Sequence, residues 1–110
     1  MKFNEYQDWT KTTAIYPNLG IDGIVYCTLK LNGEAGEVAE KLGKCMRDDG
    51  GKISDTKRLD LALELGDVLW YLARLADELG FNFDEIATIN QRKLESRKER
   101  GKLQGSGDGR

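Results

Sequence analysis

From Leu59 to Leu79 the chain runs through its most apolar stretch, yet two acids, Glu64 and Asp67, stand inside it three residues apart. Read as one helix at about 100° per residue, with Glu64 at zero, the stretch places Leu61, Leu65, Val68, Leu69, Leu72, Leu75, Ala76 and Leu79 on an arc from roughly 20° to 140°. Leu59, Leu63, Trp70 and Ala73 cover the far side, so only a narrow sector remains for Asp60, Glu64, Asp67 and Tyr71. A helix that is apolar on two sides is normally buried. A carboxylate on a buried helix needs a cation, because an unpaired buried charge is costly enough to shift its pKa until it is neutral. The helix offers none: Asp60 and Val68 flank Glu64 at four residues, and Leu63 and Tyr71 flank Asp67. The cation must come from elsewhere.

Composition narrows what that cation serves. The 110 residues contain no histidine, which excludes Ser-His-Asp and Cys-His nucleophile pairs, His-rich zinc sites and the facial triad together. An enzyme built from this chain works with carboxylates, a hard metal and Lys or Arg. The net charge of −2, from 17 basic and 19 acidic residues without a block of like charge, gives no general attraction to nucleic acid or to an anionic membrane. No apolar run approaches the ~20 residues of a membrane span, and Met1 to Glu5 lack the apolar core of a signal peptide, so a cytoplasmic protein is expected. Cys27 and Cys45 fall within one expected helix and form no CxxC pair, so both read as reduced core residues. The length suits a single domain, 1–110, of a size that often completes its core by self-association.

Four helices are expected. Phe3, Tyr6 and Trp9, at i, i+3 and i+6, mark a short first helix ending before Pro17, with its aromatics in the core. Pro17-Asn18-Leu19-Gly20 reads as a turn that Asp22-Gly23 extends, and a second helix spans about Ile24 to Cys45. With Glu34 at zero on that helix, Ile24, Cys27, Leu31, Ala35, Val38, Ala39 and Leu42 fill about 20° to 140° and Glu37 lies near 300°. The layout repeats that of the Leu59–Leu79 helix. Gly33 and Gly36 each cost roughly 1 kcal/mol relative to Ala, which suggests close approach of another backbone or a ligand. Ser54 or Asp55 is placed to cap the third helix, and Asn82 with Glu85 forms a capping-box pattern opening a fourth that runs to about Arg100. The Gly-rich tail, about 101–110, cannot be helical.

If the two acid-bearing stripes pack antiparallel, Glu34, Glu37, Glu64 and Asp67 surround one cavity. Oxygen-only ligands there suit Mg²⁺ or Mn²⁺. The competing reading is a solvated charged face, supported by Lys41 four residues after Glu37 and Lys44 four after Glu40; Glu40 is assigned to the surface. On the fourth helix Asn90, Lys93 and Arg97 fall within about 60° of one another. Lys93 and Arg97 repel unless an anion lies between them, and a phosphate chain is one such anion; an exposed basic helix end is the alternative. Trp9, Trp70 and Tyr71 read as core more readily than as a base-stacking surface, and Gly105-Ser106-Gly107-Asp108 as a frayed end more readily than as a phosphate cradle.

Taken in order, Gly33-Glu34-Ala35-Gly36-Glu37-Val38-Ala39-Glu40, Glu64-Leu65-Gly66-Asp67-Val68-Leu69-Trp70-Tyr71, Asn90-Gln91-Arg92-Lys93-Leu94-Glu95-Ser96-Arg97 and Gly105-Ser106-Gly107-Asp108 resemble the MazG-like nucleoside triphosphate pyrophosphohydrolases over nearly the whole chain. Gly109 stands where that pattern has Asn. The resemblance implies an all-α fold and Mg²⁺-dependent hydrolysis of (deoxy)nucleoside triphosphates to the monophosphate and pyrophosphate. It implies Glu34, Glu37, Glu64 and Asp67 as metal ligands and catalytic carboxylates, and Asn90, Lys93 and Arg97 as phosphate contacts. The two-sided third helix adds the expectation of a homodimer or homotetramer with an intersubunit helical bundle. Two rivals remain: a non-enzymatic helical adaptor whose acids are surface ion pairs, and a hydrolase of nucleoside diphosphates.

Overall fold

The computed structural model describes residues 1–17 and 21–110, and within them every regular element is helical, as expected. Helix α1 (Phe3–Thr10) leads into a 3-10 turn (Lys11–Thr13), followed by α2 (Asp22–Asp48), α3 (Asp55–Glu78) and α4 (Phe83–Glu99). The caps explain the boundaries. Ser54 Oγ accepts the Lys57 N–H at 3.2 Å, so α3 starts a turn before the apolar stretch. Asn82 Oδ1 accepts the Glu85 N–H at 2.8 Å while Glu85 Oε1 accepts the Asn82 N–H at 3.2 Å, the reciprocal pair expected at the start of α4.

Asp22 and Gly23, expected in a loop, belong to α2 instead. A Cβ on Gly23 would meet the Glu78 carboxyl group at 2.9 Å, so here a glycine lets the start of α2 approach the end of α3. Gly33 and Gly36 have no such role among the described residues, where a Cβ on either meets nothing within 4 Å. They lie near 260° and 200° on α2, away from the stripe that faces α3. The turn expected from Pro17 falls on residues 18–20, outside the described residues.

The dominant packing is α2 against α3. Gly23 meets Glu78, the Tyr26 and Tyr71 rings are 6.3 Å apart, and Lys41 meets Glu64. Numbers rise on α2 as they fall on α3, the antiparallel register that the stripes require. Gly50 and Gly51, at φ 62° and 79°, reverse the chain between them in a conformation that a side chain would strain.

Helix α1 closes the far end of this hairpin, and the three aromatics expected in its core are not what it buries. Phe3 is 64% and Trp9 49% exposed, while Gln7 and Thr10 are buried. Gln7 donates to the carbonyls of Phe81 at 2.9 Å and Ala73 at 3.4 Å and accepts the Phe83 N–H at 2.9 Å. One amide thereby satisfies the Phe81 carbonyl and the Phe83 N–H, which the turn between α3 and α4 leaves open. Arg74, also buried, donates to Thr10 Oγ1 at 3.2 Å and to the Tyr16 hydroxyl at 3.1 Å and pairs with Asp77 at 2.9 Å. Cys27 and Cys45 are buried free thiols, as expected.

The expectation that α3 is buried on two sides is not met by one chain. Leu59 and Leu63 are each 62% exposed, and Leu65 and Leu72 are exposed with them. The Cα radius of gyration, 16.9 Å, exceeds the about 13 Å of a compact domain of this length. Among the described residues no helix is long and apolar enough to cross a membrane.

Candidate active site

The antiparallel register sets the Glu34–Glu37 turn of α2 beside the Glu64 turn of α3. Each of the three acids offers a carboxylate oxygen, and these oxygens all lie within 4.8 Å of one another. Glu64 is buried, Glu34 half-buried and Glu37 exposed. The cation that α3 lacked comes from α2: Lys41 Nζ lies 2.7 Å from Glu64 Oε1. Lys41 thus reaches across to α3, and the i,i+4 pair with Glu37 that its spacing suggested is not made. The Glu40–Lys44 pair does form, at 3.1 Å on the exposed side of α2. Lys30 Nζ stands at 4.0 Å from Glu34 and 5.8 Å above the Tyr71 ring.

Lys41 satisfies only half of Glu64. Its Oε2 is buried without a hydrogen-bond partner among the described residues, an arrangement that costs free energy unless a ligand completes it. The Lys41 ammonium holds the Glu64 carboxyl below the usual carboxylate range, against burial, which pushes it up. The close approach of the Glu64 carboxyl, with Glu34 beside it, pushes the Glu37 carboxyl above the usual carboxylate range. Three converging acids with one bare buried oxygen form an oxygen-only donor set, and this fits a hard divalent cation.

Asp67 does not join that triad. It is exposed one turn further along α3 and, with Glu34, borders a cavity of about 430 Å³ lined by Tyr16, Tyr26, Trp70 and Tyr71. Trp70 and Tyr71, expected in the core, are wall residues. Trp70 Nε1 donates to Thr13 Oγ1 at 2.8 Å, the Tyr16 and Tyr26 rings stack at 5.4 Å, and the Tyr71 ring stands edge-on to Trp70 at 4.9 Å. Burial pushes the Tyr71 hydroxyl up to about 12, with Tyr26 adding to the shift, so Tyr71 is uncharged at neutral pH. Sequence reasoning missed Tyr16 and Tyr26. Tyr16 lies between α1 and α2, outside any helix, and so has no periodicity, and Tyr26 falls outside the apolar arc of α2.

Lys93 and Arg97 share a face of α4, and an anion does lie between them, but it is the chain's own. Asp108 Oδ1 is 3.6 Å from Lys93 Nζ and 3.3 Å from Arg97 Nη2, and the Asp108 carbonyl accepts from Arg97 Nη2 at 2.9 Å. Arg97 is 4% exposed, and its Nε is buried without a partner among the described residues. The tail is therefore not a frayed end. Arg110 folds it back by donating to the carbonyls of Gly107 at 2.7 Å and of Lys102 and Leu103 at 3.1 Å. Asn90 is exposed and lines a separate apolar groove of about 300 Å³ beside Leu69, Leu72 and Phe83. None of Asn90, Lys93 and Arg97 lines the cavity that Glu34 and Asp67 border.

The family model for the MazG nucleotide pyrophosphohydrolase domain matches residues 26–101, which takes in α2 from Tyr26 onward and all of α3 and α4. The chain is also 47% identical over 114 residues, covering all of both sequences, to the Gene 37 protein of Mycobacterium phage L5. No solved structure matches it.

Proposed function

Since this chain belongs to the MazG nucleotide pyrophosphohydrolase family, we propose that it hydrolyses (deoxy)nucleoside triphosphates to the monophosphate and pyrophosphate with Mg²⁺, for which Mn²⁺ can substitute. The observation that carries this reading is the convergence of Glu34, Glu37 and Glu64, with Glu64 Oε2 bare, at the side of a cavity walled by aromatic rings. Those three acids would hold the ion, with Asp67 as a fourth ligand from the cavity rim. Bound there, Mg²⁺ would neutralise phosphate charge and lower the pKa of the attacking water.

The chain's own groups supply the rest. Tyr16, Tyr26, Trp70 and Tyr71 offer flat apolar faces on which a base stacks. That seats the α-phosphorus toward the acids. A carboxylate of the set takes the proton of water as its oxygen bonds to the α-phosphorus. The bond from that phosphorus to the bridging oxygen breaks, and pyrophosphate leaves with the electron pair. Lys93 and Arg97, with Asn90 beside them on α4, are the candidate contacts for the phosphate tail. They do not line the same cavity within one chain, so this role calls for a second copy, and we propose a homodimer or homotetramer on that ground as well as on the exposed leucines of α3. A cytoplasmic setting follows from the substrate.

One observation speaks for the adaptor reading: Lys41 gives Glu64 an ordinary ion-pair partner. It leaves Glu64 Oε2 and the crowding of Glu34 and Glu37 unexplained. The test is a panel of the eight common ribo- and deoxynucleoside triphosphates, with their diphosphates, incubated with Mg²⁺ and resolved by product. Monophosphate and pyrophosphate in equal amounts are expected from triphosphates. Orthophosphate as the first product, or turnover of diphosphates alone, would overturn the assignment, and no turnover or binding of any nucleotide would favour the adaptor.

A further inference from the structure

Lys41 stands where a bound cation would find its natural partner. Its ammonium contacts Glu64 Oε1 at 2.7 Å, and that same acid has an oxygen within 4.8 Å of Glu34 and Glu37. A magnesium ion sits about 2.0–2.1 Å from each oxygen ligand, so an ion among these three carboxylates lies within a few ångströms of Nζ. At that range a doubly charged ion and an ammonium repel strongly enough to change affinity by an order of magnitude or more. One of them has to yield. Glu64 cannot, because its side chain is only 12% exposed and is held on the helix that the cavity is built around. Lys41 can: its side chain is 39% exposed, and a four-carbon stem lets the ammonium swing into water without moving α2.

Resting on the metal reading above, we propose that Lys41 is an exchangeable internal cation: it competes with the divalent ion for Glu64, and loading the site releases it to solvent. The lysine then does two opposed things. It neutralises the crowded acids while no ion is bound, and it weakens the affinity for the ion. Lys30 is the internal control. It is the other lysine of the site, but it stands at 4.0 Å from Glu34 and is drawn toward the Tyr71 ring, so it opposes the ion through its field and does not occupy a ligand oxygen.

The experiment titrates the full-length protein with Mg²⁺ and then Mn²⁺ alone, by calorimetry without nucleotide, and records melting in chelator. Lys41→Met is expected to bind either ion about tenfold more tightly and to melt lower in chelator than the parent. Lys41→Arg should stay near the parent, and Lys30→Met should change affinity less than about threefold. The gain in Lys41→Met should shrink as salt is raised, as for a charge at a partly exposed site. Should Lys41→Met fold poorly, Lys41→Gln carries the same expectation. Unchanged or weaker ion binding in either variant overturns exchange and makes Lys41 a residue that positions Glu64. An equal gain in Lys30→Met also overturns it, since a general field would then explain both. If the parent itself binds neither ion at millimolar concentration, with or without a triphosphate, the metal reading fails and the exchange with it.

Discussion

Replacing one carboxylate oxygen of Glu64 with an amide separates what this residue does for the fold from what it does for chemistry. Glu64→Gln keeps the shape and still offers Lys41 an acceptor, while it removes one of three crowded negative charges. The lysine, partly exposed, regains water where the pair loosens. Because Lys41 holds this carboxyl below its usual range, loss of the charge is expected to lower the melt in chelator slightly, whereas Mg²⁺ stabilisation disappears and hydrolysis drops at least about a hundredfold, as for loss of a metal's charge stabilisation. Melts with chelator and with Mg²⁺, beside pyrophosphate release, decide it. A marked loss of stability in chelator with hydrolysis per folded molecule intact would make the acid structural. Glu64 was legible in sequence because a carboxylate in an apolar run is an anomaly that local pairing could not resolve. Its partner was not, because Lys41 has an acid at i−4 on its own helix and nothing in the spacing says that it prefers the acid across the interface.

Among the elements, α4 and the tail are where local reading and packing diverge. Helical spacing put Lys93 and Arg97 on one face and identified the missing anion, yet Asp108 lies eleven residues beyond Arg97, across glycines that carry no periodicity. Arg97 is buried and bonded to that tail, so Arg97→Ala is expected to destabilise the protein by about 1 to 3 kcal/mol, as for the loss of a buried hydrogen-bonded group, beyond any loss of triphosphate binding. A melt unchanged within about 0.5 kcal/mol would show the contact to be idle. The tail should also answer to pH. Arg97, with Lys93, holds the Asp108 carboxyl below its ordinary value. A depressed folded pKa means that the docking contribution is fully present above the unfolded carboxyl value, about 3.9, and is lost as pH falls through the lower folded value. Amide protection over residues 101–110, taken relative to the intrinsic exchange rate at each pH, should therefore be high at neutral pH and fall in acid before the helices melt, and Asp108→Asn should remove that step. Protection equally low at both pH values would show that the tail is not docked through this pair.

For the whole molecule the open question is what covers α3. A single chain leaves Leu59, Leu63 and Leu65 in water and has a radius of gyration well above the compact value, and apolar exposure of this kind is relieved most simply by a second copy. Sedimentation at micromolar concentration is expected to give a dimer or tetramer, and Leu63→Glu to shift the mass toward the 12.4 kDa of one chain. A parent that sediments cleanly as a monomer would remove both the interface and the argument that α4 of one copy serves the cavity of another.

The sequence by itself determined the four helices, the cap at Asn82 and the two acid-bearing stripes, because each is written in residues within a turn or two of one another; the antiparallel pairing of the stripes entered only as a condition, and the fold met it. It also determined the family, from motifs that recur in order along the chain. Tertiary structure alone decided that Lys41 serves Glu64, that Asp67 stands on the cavity rim outside the cluster of Glu34, Glu37 and Glu64, that Gln7 is buried in place of Phe3 and Trp9, and that Asp108 fills the space between Lys93 and Arg97. Each of these is a choice among partners that local spacing makes equally available. Such a choice is settled by which helix faces happen to meet and by which polar groups those contacts cut off from water.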